Sequence, residues 1–221
     1  MKGLTSVSGI ALALAFTLPV VNADAGPFVW NGTLVKLVRQ ADPVNGAKLA
    51  KQHKCAKCHG DEGIAEDDDS PSLAGQVRGY HFKQFMDYRS GQREDKDMRK
   101  LARKLSDAQI ADLAAYFEGL QPEQPPASEP PGLATEGDES RLLLGCNRCH
   151  GEQGEGFGHE TPRLTGQKIE YFMDSMQAFR DSDRENDEYG RMRFIANRLS
   201  EDEIELLAQH YSMPPGDDEE D

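Results

Sequence analysis

Six residues in two short clusters carry the chemistry of this chain. Cys55-Ala-Lys-Cys58-His59 and Cys146-Asn-Arg-Cys149-His150 use all four cysteines, so none is left for a disulfide elsewhere. In C-x-x-C-H the two thiols lie about one helical turn apart and can add to the two vinyl groups of a haem. The adjacent imidazole is then carried under the iron as its proximal ligand. Two copies predict two covalently bound haem c groups, held by Cys55 and Cys58 and by Cys146 and Cys149, with His59 and His150 on the irons. Tetrahedral zinc is the first competing chemistry, but structural zinc motifs do not need a histidine directly after the second cysteine in both copies. A disulfide oxidoreductase is the second, and neither pair has the strand-then-helix context of a redox C-x-x-C.

The other face of each iron decides between carrying electrons and doing bond chemistry. A His/Met haem is six-coordinate, has no open position, and owes a raised reduction potential to its thioether. Met98 and Met192 each lie about 40 residues beyond the proximal histidine, just before a final helix, and each opens a matching M-x-x-x-A segment. They are the expected distal ligands. Met86 and Met176 also correspond to within a residue, but they sit mid-helix on an apolar face, where methionine more often fills core. His53, His81 and His159 have no histidine, and Met173 and Met213 no methionine, at the matching place in the other half. Pro71 and Pro162 each follow the proximal histidine by 12 residues. A carbonyl from so rigid a turn can take the imidazole N–H, fixing its tautomer and strengthening it as a ligand.

These residues recur because the chain repeats itself. An offset of 91 carries Cys55 to Cys146, Pro71 to Pro162, Gly75-Gln76 to Gly166-Gln167, Tyr80 to Tyr171 and Arg89 to Arg180. After a three-residue insertion an offset of 94 carries Met98 to Met192, Ser106 to Ser200 and Ile110 to Ile204. The elements within each half read as helical. Gly46 to Lys54 leads into the first cysteine cluster, Tyr80 to Tyr88 has an apolar face, and Ser106 with Gln109, like Ser200 with Glu203, has capping-box spacing before an apolar stripe. No strand pattern appears, so the fold class is all-α with two tandem domains. The expected order is a signal peptide at 1–25, an extension at 26–41, a first domain at 42–120, a Pro-rich linker at 121–139, a second domain at 140–213 and an acidic tail at 214–221. With 37% hydrophobic residues in 221, each small domain needs a large apolar insert, which a haem supplies.

Lys2, the apolar run Ile10 to Val21 and the small-x-small site Ala23-Asp24-Ala25 read as an export signal, which would place the mature chain in the periplasm. The run is too short to span a bilayer, and no later segment is long and apolar enough to do so; a soluble mature protein is expected. The net charge of −14 argues against nucleic acid as a partner. It suits a redox partner with a basic surface as well as it suits a plain solvated face.

Over residues 46–119 and 141–211 the chain resembles the dihaem cytochromes of the cytochrome c4 type. The resemblance rests on Cys-Ala-Lys-Cys-His-Gly, Pro71-Ser-Leu-Ala-Gly-Gln76, Met98 with Leu101-Ala102 and Leu105-Ser106-Asp107. Their counterparts are Cys-Asn-Arg-Cys-His-Gly, Pro162-Arg-Leu-Thr-Gly-Gln167, Met192 with Ile195-Ala196 and Leu199-Ser200. It implies two class I cytochrome c folds, His59/Met98 and His150/Met192 ligation, Pro71 and Pro162 as partners of the proximal imidazoles, and one-electron carriage from a donor reductase or dehydrogenase to an acceptor oxidase. The alternative is the electron-accepting subunit of a flavocytochrome sulfide dehydrogenase-like enzyme. A dihaem peroxidase would need an open iron, against which the paired methionines argue. The extension with Trp30, the long linker, the charged stretch Asp181 to Glu188 and the acidic tail depart from the family pattern and bear on domain packing and partner choice.

Overall fold

A computed structural model describes residues 28–67 and 69–213; the signal peptide and acidic tail read from the sequence lie outside the described residues. Capping side chains set most helix starts of the first half. Asn31 caps α1 (Gly32–Arg39), Asp42 with Pro43 at the first position starts α2 (Pro43–His53), and the one-turn α3 (Ala56–His59) follows. Then come α4 (Arg78–Ser90), α5 (Lys96–Ala102), capped by Asp95, and α6 (Asp107–Glu118), where Ser106 and Gln109 complete the capping box. This satisfies otherwise orphaned amides at each capped end. α2 crosses α6 at Gly46, where a Cβ would run into the Asp112 carbonyl and the Tyr116 Cβ. The core holds Val38, Leu49, Phe82, Ile110, Leu113 and Phe117.

The second half begins with α7 (Gly132–Thr135), then β1 (Gly137–Asp138) paired antiparallel with β2 (Leu143–Leu144), and α8 (Asn147–His150). β3 (Gln167–Lys168) leads into α9 (Ile169–Asp181), followed by α10 (Arg191–Ala196), α11 (Glu201–Tyr211), again opened by a capping box at Ser200, and β4 (Ser212–Met213), parallel to β3. Ala134, Phe172, Met176, Phe179, Ile204, Leu207 and Tyr211 form its core.

In two places the structure differs from the boundaries read from the sequence. The extension is part of the first domain, because α1 packs on that core with Val38 fully buried. The linker is extended only through Pro131: α7 and β1 belong to the second domain, with Ala134 fully buried in its core. The second domain therefore lacks a copy of α2. Gly137 and Leu142, both at positive φ, break any helix there. Among the described residues four two-residue strands occur, each too short for a period of two to show in the sequence, and the fold is all-α as expected.

The domains meet through buried polar groups. Tyr171 receives a hydrogen bond from Arg93 (2.8 Å), and Tyr80 receives one from Arg184 (2.8 Å). Lys83 donates to Asp87 (2.6 Å) and to the Asn186 carbonyl (2.7 Å). Trp30 stacks on His159 of the second domain, centroids 4.8 Å apart. The stretch Asp181 to Glu188, read from sequence as a charged insertion, thus supplies two buried interface residues, Arg184 and Asn186.

Candidate functional site

In each domain a one-turn helix presents the thiols and the imidazole together. Lys54 takes the left-handed conformation (φ 57°) at the end of α2, turning the chain into α3. Cys55 is half-buried and Cys58 exposed; Cys146 and Cys149 repeat that arrangement, and none of the four is in a disulfide. The His59 amide bonds back to the Cys55 carbonyl (3.0 Å) and that of His150 to Cys146 (2.9 Å). Both turns end on glycine at positive φ. A Cβ at Gly60 would strike the Ile64 carbonyl, and the left-handed φ of 72° at Gly60 and 90° at Gly151 strains any residue with a Cβ, so both positions favour glycine. Burial raises both half-buried thiols in the unmodified chain, Cys146 to about 11.

Each proline turn meets the imidazole 12 residues before it. His59 Nδ1 donates to the Pro71 carbonyl at 2.9 Å, and His150 Nδ1 to the Pro162 carbonyl at 2.8 Å. A carbonyl can only accept, so the proton sits on Nδ1 and Nε2 carries the lone pair a metal needs. Burial pushes both imidazoles below the usual histidine range, outweighing the opposing pull of the proline carbonyls. They are neutral at pH 7. The turns are clamped from behind: Leu73 and Ala74 amides both donate to the Gly63 carbonyl, and Leu164 and Thr165 to that of Gly154. The Gly75 amide bonds to Phe117 at the end of α6, and that of Gly166 to Tyr211 at the end of α11, each at 2.9 Å.

Met98 lies on α5 with its amide held by the Asp95 carboxylate (2.7 Å), half-buried against the core of the first domain. Met192 on α10 has the same place in the second. Met86 and Met176 pack into the cores, as their mid-helix positions predict. His81, given no special role by the sequence, is buried on Phe117 with both ring nitrogens unpartnered, and Phe172 fills the matching place. Sequence reasoning overlooked the cross-domain arginines Arg93 and Arg184, although they too stand 91 positions apart.

Each domain therefore offers two thiols one turn apart, an imidazole with a bare Nε2 and a thioether against the same core. That donor set fits a covalently attached haem. Among the described residues no three His, Cys, Asp or Glu side chains converge as a metal-binding cluster, so the two C-x-x-C pairs do not assemble into a tetrahedral zinc site.

The cytochrome c family model matches residues 43–121. Cytochrome c4 of Thiocapsa roseopersicina is 38% identical over 167 residues, covering 71% of this chain and 84% of that protein. The chain belongs to the cytochrome c4 family. A thiosulfate dehydrogenase electron acceptor of Thiomonas intermedia is 32% identical over 170 residues, 73% of this chain and 78% of that one. Among solved structures, reduced recombinant cytochrome c4 from Pseudomonas stutzeri superposes with a TM-score of 0.70 at 29% identity, over 77% of this chain and 97% of its own. A thiosulfate dehydrogenase from Marichromatium purpuratum gives 0.67 at 31% identity over 76% of this chain and 39% of its own. Membership in the cytochrome c4 family implies covalently bound haem c, for which the C-x-x-C-H helices supply the attachment points. No described helix is long and apolar enough to cross a membrane.

Proposed function

We propose that the chain binds two haem c groups, with His59 and Met98 on one iron and His150 and Met192 on the other, and carries single electrons between periplasmic redox proteins. The bound haem supplies a one-electron couple; the chain supplies no acid, base or nucleophile to a substrate. The observation that carries this is the matched pair of Nδ1–H to proline bonds, each with a methionine half-buried in the same domain. Cys55, Cys58, Cys146 and Cys149 tether the porphyrins, Pro71 and Pro162 hold each imidazole in its ligating tautomer, and the methionines close the irons to exogenous ligands. A pyridine haemochrome assay should return two haems per chain, and the oxidised protein should show a methionine-to-iron band at the red end of its spectrum. A high-spin iron in the resting protein would overturn the ligation.

The donor is the finer question. Relatives named as electron acceptors of thiosulfate dehydrogenase favour a second reading, in which this chain takes electrons from such an enzyme. Those names point to thiosulfate where the sequence had suggested sulfide and a flavoprotein. Rapid reduction on mixing with a thiosulfate dehydrogenase and thiosulfate would support it, and no reduction under conditions where ascorbate reduces both haems would exclude it. The charge distribution suits different partners at the two ends: residues 26–120 carry 15 basic and 14 acidic side chains, residues 121–221 only 9 and 24.

A further inference from the structure

The glutamine ending each proline turn reaches into the opposite domain. Gln167 Oε1 accepts from the Ser72 amide (2.8 Å) while its Nε2 donates to the Ser72 carbonyl (3.1 Å). Gln76 repeats this on Arg163, accepting from its amide (2.7 Å) and donating to its carbonyl (3.0 Å). Neither side-chain amide can be flipped, because a backbone N–H needs the oxygen and a carbonyl needs the amine. Each Oε1 is also held by the next amide of its own chain, Val77 or Lys168 (both 3.0 Å). The two clamps are copies of one another at the repeat offset.

What they grip decides what they do. The Ser72 N–H belongs to the same peptide unit as the Pro71 carbonyl that receives His59 Nδ1–H, and the Arg163 N–H to the unit of the Pro162 carbonyl that receives His150 Nδ1–H. A hydrogen bond drawn from a peptide N–H raises electron density on its carbonyl, a cooperative effect along the chain of bonds. The carbonyl then pulls harder on the imidazole proton, which makes the ring more electron-donating toward iron and favours the oxidised state. We infer that Gln76 and Gln167 are crossed positioning residues: Gln167 of the second domain lowers the potential of the first haem, and Gln76 of the first domain lowers that of the second. Domain docking is then itself part of the redox tuning. This rests on the reading of His59 and His150 as proximal ligands.

The test uses full-length holoprotein, titrated potentiometrically while haem-methyl NMR resonances report each haem separately. In Gln167→Ala the first haem should become easier to reduce, its reduced-to-oxidised ratio at fixed potential rising about fivefold, the equivalent of one net hydrogen bond, with the second haem unmoved. Gln76→Ala should give the mirror image. Asn186→Ala loosens the interface without touching either peptide and should reproduce neither pattern. Shifts in the haem of the substituted domain, equal shifts in both, no shift, or the same pattern in Asn186→Ala would overturn the inference. If the unsubstituted protein lacks two low-spin His/Met haems, the ligation reading has failed instead, before any variant is compared.

Discussion

Replacing Lys83 by methionine should destabilise the protein far more than replacing Lys83 and Asp87 together would suggest. Lys83 and Asp87 face the second domain from one turn of α4, paired at 2.6 Å with Asp87 only 1% exposed. The carboxylate also accepts from Asn186 Nδ2 at 2.7 Å, and Lys83 Nζ donates to the Asn186 carbonyl. Lys83→Met leaves a buried carboxylate with one neutral partner, a loss of about 3–5 kcal/mol. Adding Asp87→Leu removes the stranded charge. What remains is the unpartnered Asn186 carbonyl, about 1–3 kcal/mol, since Asn186 Nδ2 keeps Gln84 Oε1 at 3.0 Å. The double variant should thus be more stable than Lys83→Met alone, with a coupling of roughly 3 kcal/mol or more between the sites. Guanidinium unfolding of the holoprotein, followed by far-ultraviolet circular dichroism and by the Soret band, measures all four corners of the cycle. A Lys83→Met loss below about 1 kcal/mol, or two single losses that simply add, would refute the reasoning that these charges hold each other in the interface.

Three further outcomes are expected. Gly46→Ala should lower stability by about 1–3 kcal/mol through overpacking at the α2–α6 crossing, more than offsetting the roughly 1 kcal/mol helix gain of alanine; the unfolding midpoint reports it. His81 is held near 3, against an ordinary 6.5, chiefly by burial. Its neutral form is the one that folds, so stability is full above 6.5 and falls as pH drops toward 3. His81→Phe, which copies Phe172 of the second domain, should remove about 2 kcal/mol of that loss at pH 5, seen as a flatter melting-temperature profile. Hydrogen bonding from Arg141 holds Glu203 at about 2, below its usual 4.5. The stabilisation is present above 4.5 and lost as pH falls through 2, so Arg141→Met should flatten the acid limb of the melting profile over that window and leave the neutral region with a small, pH-independent loss.

The cysteine helices, the proline turns and the capping boxes were legible because each is written locally. A cysteine pair with its histidine, a proline 12 residues on and a serine three residues before a glutamine or glutamate specify their own hydrogen bonds over one or two turns. The same locality kept Met86 and Met176 in the cores. What was illegible depends on contacts between distant segments. The apolar residues near Val38, Phe28, Val29, Leu34 and Leu37, suit packing over the first core as well as they suit a partner, and the prolines before Pro131 hide the fact that Ala134, three residues later, is buried in the second. Arg93 and Arg184 stand at the repeat offset, yet their role appears only when Tyr171 and Tyr80 arrive from the opposite domain.

The interface follows the logic of an isologous dimer folded into one chain, in which residue i of one half meets residue j of the other and j meets i. Arg93 bonds Tyr171 as Arg184 bonds Tyr80, Gln76 grips Arg163 as Gln167 grips Ser72, and Arg93 lies over the Tyr88 ring as Arg184 lies over that of Phe179. Symmetry of this kind would give the two C-x-x-C-H sites the same surroundings. The asymmetric contacts break it: Trp30 on His159, Lys83 with Asn186, and His81 where the second domain has Phe172 each occur once. Two haems of equal potential would give an electron no preferred direction between them. The symmetric contacts therefore set how the haem domains are held, while the contacts made once are where the chain can make the two sites unequal.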